Sequence, residues 1–292
     1  MILFLIILLI FFGRFNSSIF GYELLNTDEF VIAAKASRLM SDYSFYEFDG
    51  DTSGILNAVF LMWPGLLNFD LTYLSLRLSA VLAVSLLLFF TYKIISLYCG
   101  KKLTFFLSLP IILFFAFTKD PDFLHYTNEL ISILLILISL FIYLKHFDNL
   151  NSLRIFLLSS VLGLVLFAKM QFFPIACLLI LTINLKFIFQ DRNFKNFIIS
   201  SCSFIFPTLI ITSYYFVNNE IKDLFYNVLY FPLSDLFARN EITKKELIIG
   251  SNSLQSIIQS NKKTILIDHL IQNSFFHLLY LFFLYFSFLY LK

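Results

Sequence analysis

Charge is what this 292-residue chain has least of: 14% of its residues are Asp, Glu, Lys or Arg, against 59% hydrophobic ones. Soluble domains carry roughly a quarter charged residues. The deficit, with a mean hydropathy of +0.85, excludes a soluble globular domain and marks an integral membrane protein. The net charge of +2 is too small for the basic surface that a nucleic-acid partner requires. Cysteine is nearly absent too. Cys99, Cys177 and Cys202 are odd in number, lie in or beside apolar runs and show no C-x-x-C spacing, so they read as packing residues and not as a disulfide framework or a metal site. No internal repeat or low-complexity tract interrupts the chain.

What is present in excess is apolar bulk, including 40 Phe. It is spread along the whole chain, so residues 1–292 read as a single transmembrane domain. A bilayer core about 30 Å thick takes roughly 20 apolar residues per helix. The run Met1 to Phe12 covers about 18 Å at helical rise, and is long enough to span if it continues past Arg14 to Phe20. It lacks the positive n-region and cleavage site of a signal peptide, so it is read as a first span. Further spans are expected over Tyr73–Tyr98, Leu103–Thr118, Glu129–Leu144, Ile155–Ala168, Phe172–Phe189, Phe197–Val217 and Phe275–Leu291, giving an all-α polytopic protein of about eight crossings. Gly54 to Phe69, broken by Trp63-Pro64-Gly65, is too short to cross and reads as interfacial or re-entrant.

Cytoplasmic loops carry the Lys and Arg excess. Lys93, Lys101 and Lys102, then Lys145 and Arg154, then Lys186, Arg192 and Lys195, then Lys292 fall on one side of this topology. The opposite short loops hold little more than Lys119 and Lys169. The alternation places a first loop, 21–70, and a long loop, 218–274, on the outer side of a plasma (inner) membrane.

The first outer loop is the most polar stretch of the chain. Between Asn26 and Asn57 lie Asp28, Glu29, Asp42, Glu47, Asp49 and Asp51, with Lys35 and Arg38. Asn26 suits an N-cap, with Glu29 three residues on in a variant of the capping box. Phe30, Ala33, Ala34, Ser37 and Met40 then share one face of a helix at the outer surface, and Asp28, Lys35 and Asp42 line another. Acids at a helix start also offset its dipole by about 0.3–1 kcal/mol, so Asp28 and Glu29 alone are open to that plainer reading.

Taken in order, Thr27-Asp28-Glu29, the segment Asp49 to Asn57 (D-G-D-T-S-G-I-L-N), Leu74-Ser75-Leu76-Arg77-Leu78, His125-Tyr126-Thr127-Asn128-Glu129 and Ala168-Lys169-Met170-Gln171 resemble the GT-C superfamily of membrane glycosyltransferases. These enzymes use polyprenyl-phosphate-linked sugars and carry an Asp or Asp-Glu motif in the first extracytoplasmic loop, as protein mannosyltransferases and aminoarabinose transferases do. The resemblance covers roughly Asn26 to Pro174. It implies a sugar donor on a polyprenyl phosphate, an acceptor that is a glycan, lipid or protein, and an active face outside the cytoplasm. Asp28 would be the general base toward the acceptor hydroxyl, with Glu29 beside it. Lys35, Arg38, Arg77 and Lys169 would meet the leaving phosphate. Asp51, Asn57, Asp122, Glu129 and Gln171 would contact substrate, Asp120, Asp122 or Glu129 supplying a second acid. His125 reads as an interfacial polar residue. No metal ligand set is assigned, and because metal dependence varies within the superfamily a divalent ion stays open.

Two features depart from the pattern. The Lys-Pro-Pro or His-x-Pro element of some relatives is replaced by Thr52-Ser53-Gly54-Ile55-Leu56-Asn57. Relatives also usually run longer, so a fragment or a minimal form is the expectation for this chain. The competing reading is a lipid-linked-sugar flippase or an accessory subunit. Charges gathered at span ends, away from a midplane, count against an ion-coupled carrier.

Overall fold

The computed structural model describes residues 2–14, 27–41, 54–118, 125–217 and 221–225, with the side chains of residues 27, 28 and 223 left aside. These residues belong to one compact unit, Met1–Leu233. A second unit, Ser234–Lys292, lies outside the described residues, as do most of the long loop 218–274 and the run Phe275–Leu291.

Every described element is helical: α1 (Ile2–Arg14), α2 (Thr27–Ser41), α3 (Ile55–Leu61), α4 (Trp63–Leu66), α5 (Tyr73–Tyr98), α6 (Lys101–Phe117), α7 (Glu129–Lys145), α8 (Ser152–Ala168), α9 (Phe173–Leu185), α10 (Phe194–Val217) and α11 (Ile221–Phe225). A 3-10 turn, Met170–Phe172, precedes α9, and a π-helical turn, Lys186–Gln190, extends it. No strand occurs among the described residues.

Among the described residues, three helical stretches are long and apolar enough to cross a membrane: Tyr73–Tyr98, Met170–Gln190 and Phe194–Val217. The helices over the other expected spans within the described residues are shorter. α1 has 13 residues, and α6, α7 and α8 have 17 each. A 17-residue helix is about 25 Å long, somewhat under the hydrocarbon thickness.

Local chemistry explains where these helices begin. Thr72 and Ser75 form a reciprocal capping box at the start of α5, Thr72 Oγ1 accepting from Ser75 N–H at 3.3 Å and Ser75 Oγ from Thr72 N–H at 2.9 Å. Asn151 caps α8 by accepting from Arg154 N–H at 2.9 Å, and a proline opens α9, where its missing N–H costs nothing.

α1 packs on α5 and α6, α7 lies between α5 and α8, and α8 packs on both α9 and α10. Small residues make the α8–α10 contact. Ser159 and Ser200 hydroxyls meet at 3.2 Å, Ser160 Oγ donates to Ser203 O at 3.1 Å, and a Cβ on Gly163 would sit 2.1 Å from Phe204 O. Close backbone approach over small residues is how helices associate where burial from water gives no gain.

The helix connections sort to two ends. Arg14, at the end of α1, donates from Nε to Phe115 O near the end of α6 at 2.9 Å. The starts of α5, α7 and α9 and the end of α8 share that end, as the contacts described below show. At the other end Lys186 hydrogen-bonds Phe147 O, joining the turn after α9 to the loop after α7. Lys101, Lys102, Lys145, Arg154, Lys186, Arg192 and Lys195 all flank connections at this second, basic end.

α2 lies across the first end, but its packing face differs from the one expected. Glu29, Ile32, Ala36 and Leu39 are buried, while Phe30 and Ser37 are exposed and Ala33, Ala34 and Met40 are half-buried. Ile32, Ala36 and Leu39 join Ala58, Leu61, Leu76, Ala80 and Tyr126 in one core cluster. The expected stripe followed apolar and small residues. The real one contains a glutamate, because that glutamate meets an arginine.

Candidate polar site at the first end of the bundle

α5 carries Arg77 in its second turn, where it is 1% exposed. Its guanidinium lies over the Tyr73 ring, 4.6 Å from the centroid, and its Nη2 is 3.2 Å from Glu29 Oε2. The Glu29 carboxylate is fully buried as well and accepts a hydrogen bond at 3.3 Å from the N–H of Tyr126. Burial raises the Glu29 pKa, while Arg77 and the Tyr126 N–H oppose that shift. The first turn of α2 is thus pinned to the start of α5 and to the segment 125–128.

His125 closes the cluster, and here the structure corrects the expectation of an interfacial residue. It is 3% exposed, with Nδ1 3.9 Å from Glu29 Oε2. Burial first, then the charges of Arg77 and Arg14, push its pKa down to about 4. The imidazole is therefore neutral near pH 7 and its contact with Glu29 is polar, not ionic. Nothing in the pattern around His125 separates it from a surface histidine; only the docking of α2 does.

A second pair lies beside the first. Lys169, 7% exposed, bonds through Nζ to Glu129 at the start of α7, and the Glu129 side chain is 38% exposed. Asn57 ties the two halves together. Its buried Nδ2 donates to Ala168 O at 2.6 Å and to Asn128 O at 3.3 Å, and Tyr126 Oη donates to Asn57 O at 3.2 Å. Burial pushes the Tyr126 phenol well above its usual pKa, which keeps it a donor, and its ring stacks on Phe60 at 5.8 Å.

Ala168 ends α8, where a carbonyl has no partner within the helix; it accepts from Gly54 N–H at 3.0 Å as well as from Asn57. A Cβ on Gly54 would lie 2.0 Å from Phe167 O, so only glycine allows this approach.

Of the residues expected in a site, Glu29, Asn57, Arg77, Glu129 and Lys169 are thus brought together. Lys35 is half-buried, whereas Arg38 and Gln171 are exposed. Asp28 opens α2 one residue before Glu29, with its side chain outside the described residues, and Asp51, Asp120 and Asp122 lie outside them entirely. His125, Tyr126, Asn128 and Gly54 belong to the arrangement although none was singled out as a site residue. The cue available for His125, Tyr126 and Asn128 was a polar group, His125 to Glu129, set directly before an apolar run.

Among the described residues no group of three His, Cys, Asp or Glu side chains is placed to hold a metal ion. No protein-family model, curated protein or solved structure matches the chain.

Proposed function

We propose that this protein is a GT-C-like membrane glycosyltransferase that moves a sugar from a polyprenyl-phosphate carrier to a glycan, lipid or protein acceptor at the extracytoplasmic face of a plasma membrane. The observation that carries the reading is the buried Glu29–Arg77 pair, which fastens the turn bearing Asp28 to the start of a membrane-length helix. A general base works only when held within hydrogen-bond reach of the proton it removes. Asp28 takes that role. Glu29, enclosed by Arg77, His125 and Tyr126, positions the turn and is not itself the base.

The roles of the cations follow from burial. Arg77 is committed to Glu29, so it holds α2 in place of the leaving phosphate. Lys169, paired with a partly exposed Glu129, is better placed to meet a phosphate oxygen. The shorter helices α1, α6, α7 and α8 cross with α5, α9 and α10, and the basic end faces the cytoplasm.

The test is transfer of radiolabelled sugar from a panel of polyprenyl-phosphate donors by the purified chain, beside Asp28→Asn. Transfer by the wild type falls at least about 10²-fold in Asp28→Asn, with insertion unchanged. Equal turnover by the mutant removes Asp28 from the chemistry. If neither protein transfers label although both bind the lipid, the flippase or accessory-subunit reading replaces this one.

A further inference from the structure

We propose that the basic end holds a second site, independent of the transfer reaction: a groove that binds the phosphate of an anionic phospholipid headgroup. Loops 146–151 and 191–193 enclose a groove of about 480 Å³ lined by four asparagines, Arg154 and the carboxylates of Asp148 and Asp191.

The hydrogen bonds decide what this groove offers. Asn151 Oδ1 accepts from Arg154 N–H and Asn193 Oδ1 from Asn196 N–H at 3.1 Å. With their oxygens engaged, both side chains present amide N–H donors. Arg154 donates from Nη1 to Asn149 O at 2.8 Å, which orients the guanidinium and leaves the rest of its donor fork for a ligand. Of the two carboxylates, Asp191 is met by Lys186 at 3.8 Å, so Asp148 alone opposes an anion. Lys145, Arg192 and Lys195 are exposed on the flanking segments and add positive field. The lining alone carries Arg154 against two carboxylates; with Lys186 on Asp191 and Lys145, Arg192 and Lys195 around it, the donor-rich groove sits in a region that is net positive.

Its surroundings select a lipid as the source of the phosphate. Leu153, Phe189 and Phe194 are 64%, 73% and 66% exposed on the helix ends that carry the groove. Such side chains meet acyl chains while the polar groove lies at headgroup level, the arrangement of basic headgroup pockets between membrane helices.

The test is lipid retention by the full chain released from nanodiscs of phosphatidylcholine and phosphatidylglycerol, read by native mass spectrometry. Phosphatidylglycerol is expected to be retained in preference to phosphatidylcholine. Arg154→Gln lowers that retention about tenfold, with the helical circular-dichroism signal unchanged, and Arg154→Lys restores part of it. Equal retention of the two lipids, or full retention by Arg154→Gln, overturns the proposal. Should Arg154→Gln fail to fold, the exposed double variant Arg192→Gln/Lys195→Gln gives the same decision. Glycerol 3-phosphate is not expected to displace the lipid. Displacement at comparable concentration would identify a soluble phosphate as the ligand and overturn the lipid assignment.

Discussion

The two ends of the bundle are both polar, yet they are built differently. At the first end Glu29, Asn57 and Arg77 are at most 1% exposed and His125 is 3% exposed, and their partners come from distant parts of the chain. Tyr126 donates to a carboxylate 97 positions away, and Asn57 to a carbonyl 111 positions away. At the basic end Asp148, Asn149, Asp191 and Arg192 are exposed, and several of the bonds are local, such as Arg154 to Asn149 and Asn196 to Asn193. A charged residue in water can be changed cheaply, whereas a buried one is tied to its partner. The first end should therefore govern stability as well as the proposed chemistry, and the basic end should govern the proposed lipid binding with little effect on the fold.

The largest effect expected is from splitting the buried pair. Arg77→Met leaves the Glu29 carboxyl enclosed without its counter-charge and should cost about 3–5 kcal/mol, read by chemical unfolding in detergent. Replacing both, Glu29→Leu with Arg77→Met, should recover most of that stability. If the double variant is as unstable as the single one, shape and not charge holds α2 in place.

Next comes the junction at the end of α8. Gly54→Ala forces a methyl group against Phe167 O and should destabilise by about 1–3 kcal/mol. Asn57→Ala removes a donor from both the Ala168 and Asn128 carbonyls, at about 1–3 kcal/mol. Either variant behaving like wild type in unfolding would show that this corner can relax.

A smaller effect is expected from pH. The imidazole of His125 moves from an ordinary 6.5 to about 4 on folding, so between those values the unfolded chain binds more protons. Its contribution to stability is complete above 6.5 and is lost as pH falls toward about 4. His125→Gln should flatten the unfolding midpoint over that window relative to wild type. Equal slopes in the two proteins would mean that His125 gains water in solution.

The smallest effect is expected at the opposite end, where Arg192→Ala should shift stability by no more than about 0.5 kcal/mol. A loss of several kcal/mol there would erase the contrast between the ends.

How much of this was legible in the chain depends on range. Tyr73–Tyr98 ends as a helix where its apolar run ends, and the helices over the next five runs begin and stop within three residues of the expected bounds, α9 being taken with its flanking turns as Met170–Gln190. Helix formation and membrane affinity are additive properties of contiguous residues. The grouping of Lys and Arg at one end was equally readable, since alternating helices carry alternate loops to the same side. Asn57, Arg77, Glu129 and Lys169 were also recognisable as polar residues at the margins of apolar runs.

Which of them meet was not readable. The periodicity of α2 pointed to Phe30, Ser37 and Met40, because a scan for apolar residues passes over a glutamate on the packing face. His125 read as an interfacial polar residue because nothing in its local pattern marks it for burial. The sequence by itself determined the membrane class, the helices and the sorting of charge between two ends, all of which follow from local composition. Only the tertiary structure decided that Glu29 is buried and His125 neutral. Those states are set by Arg77, Tyr126 and the packing around them, which a local reading of residues 27–41 does not contain.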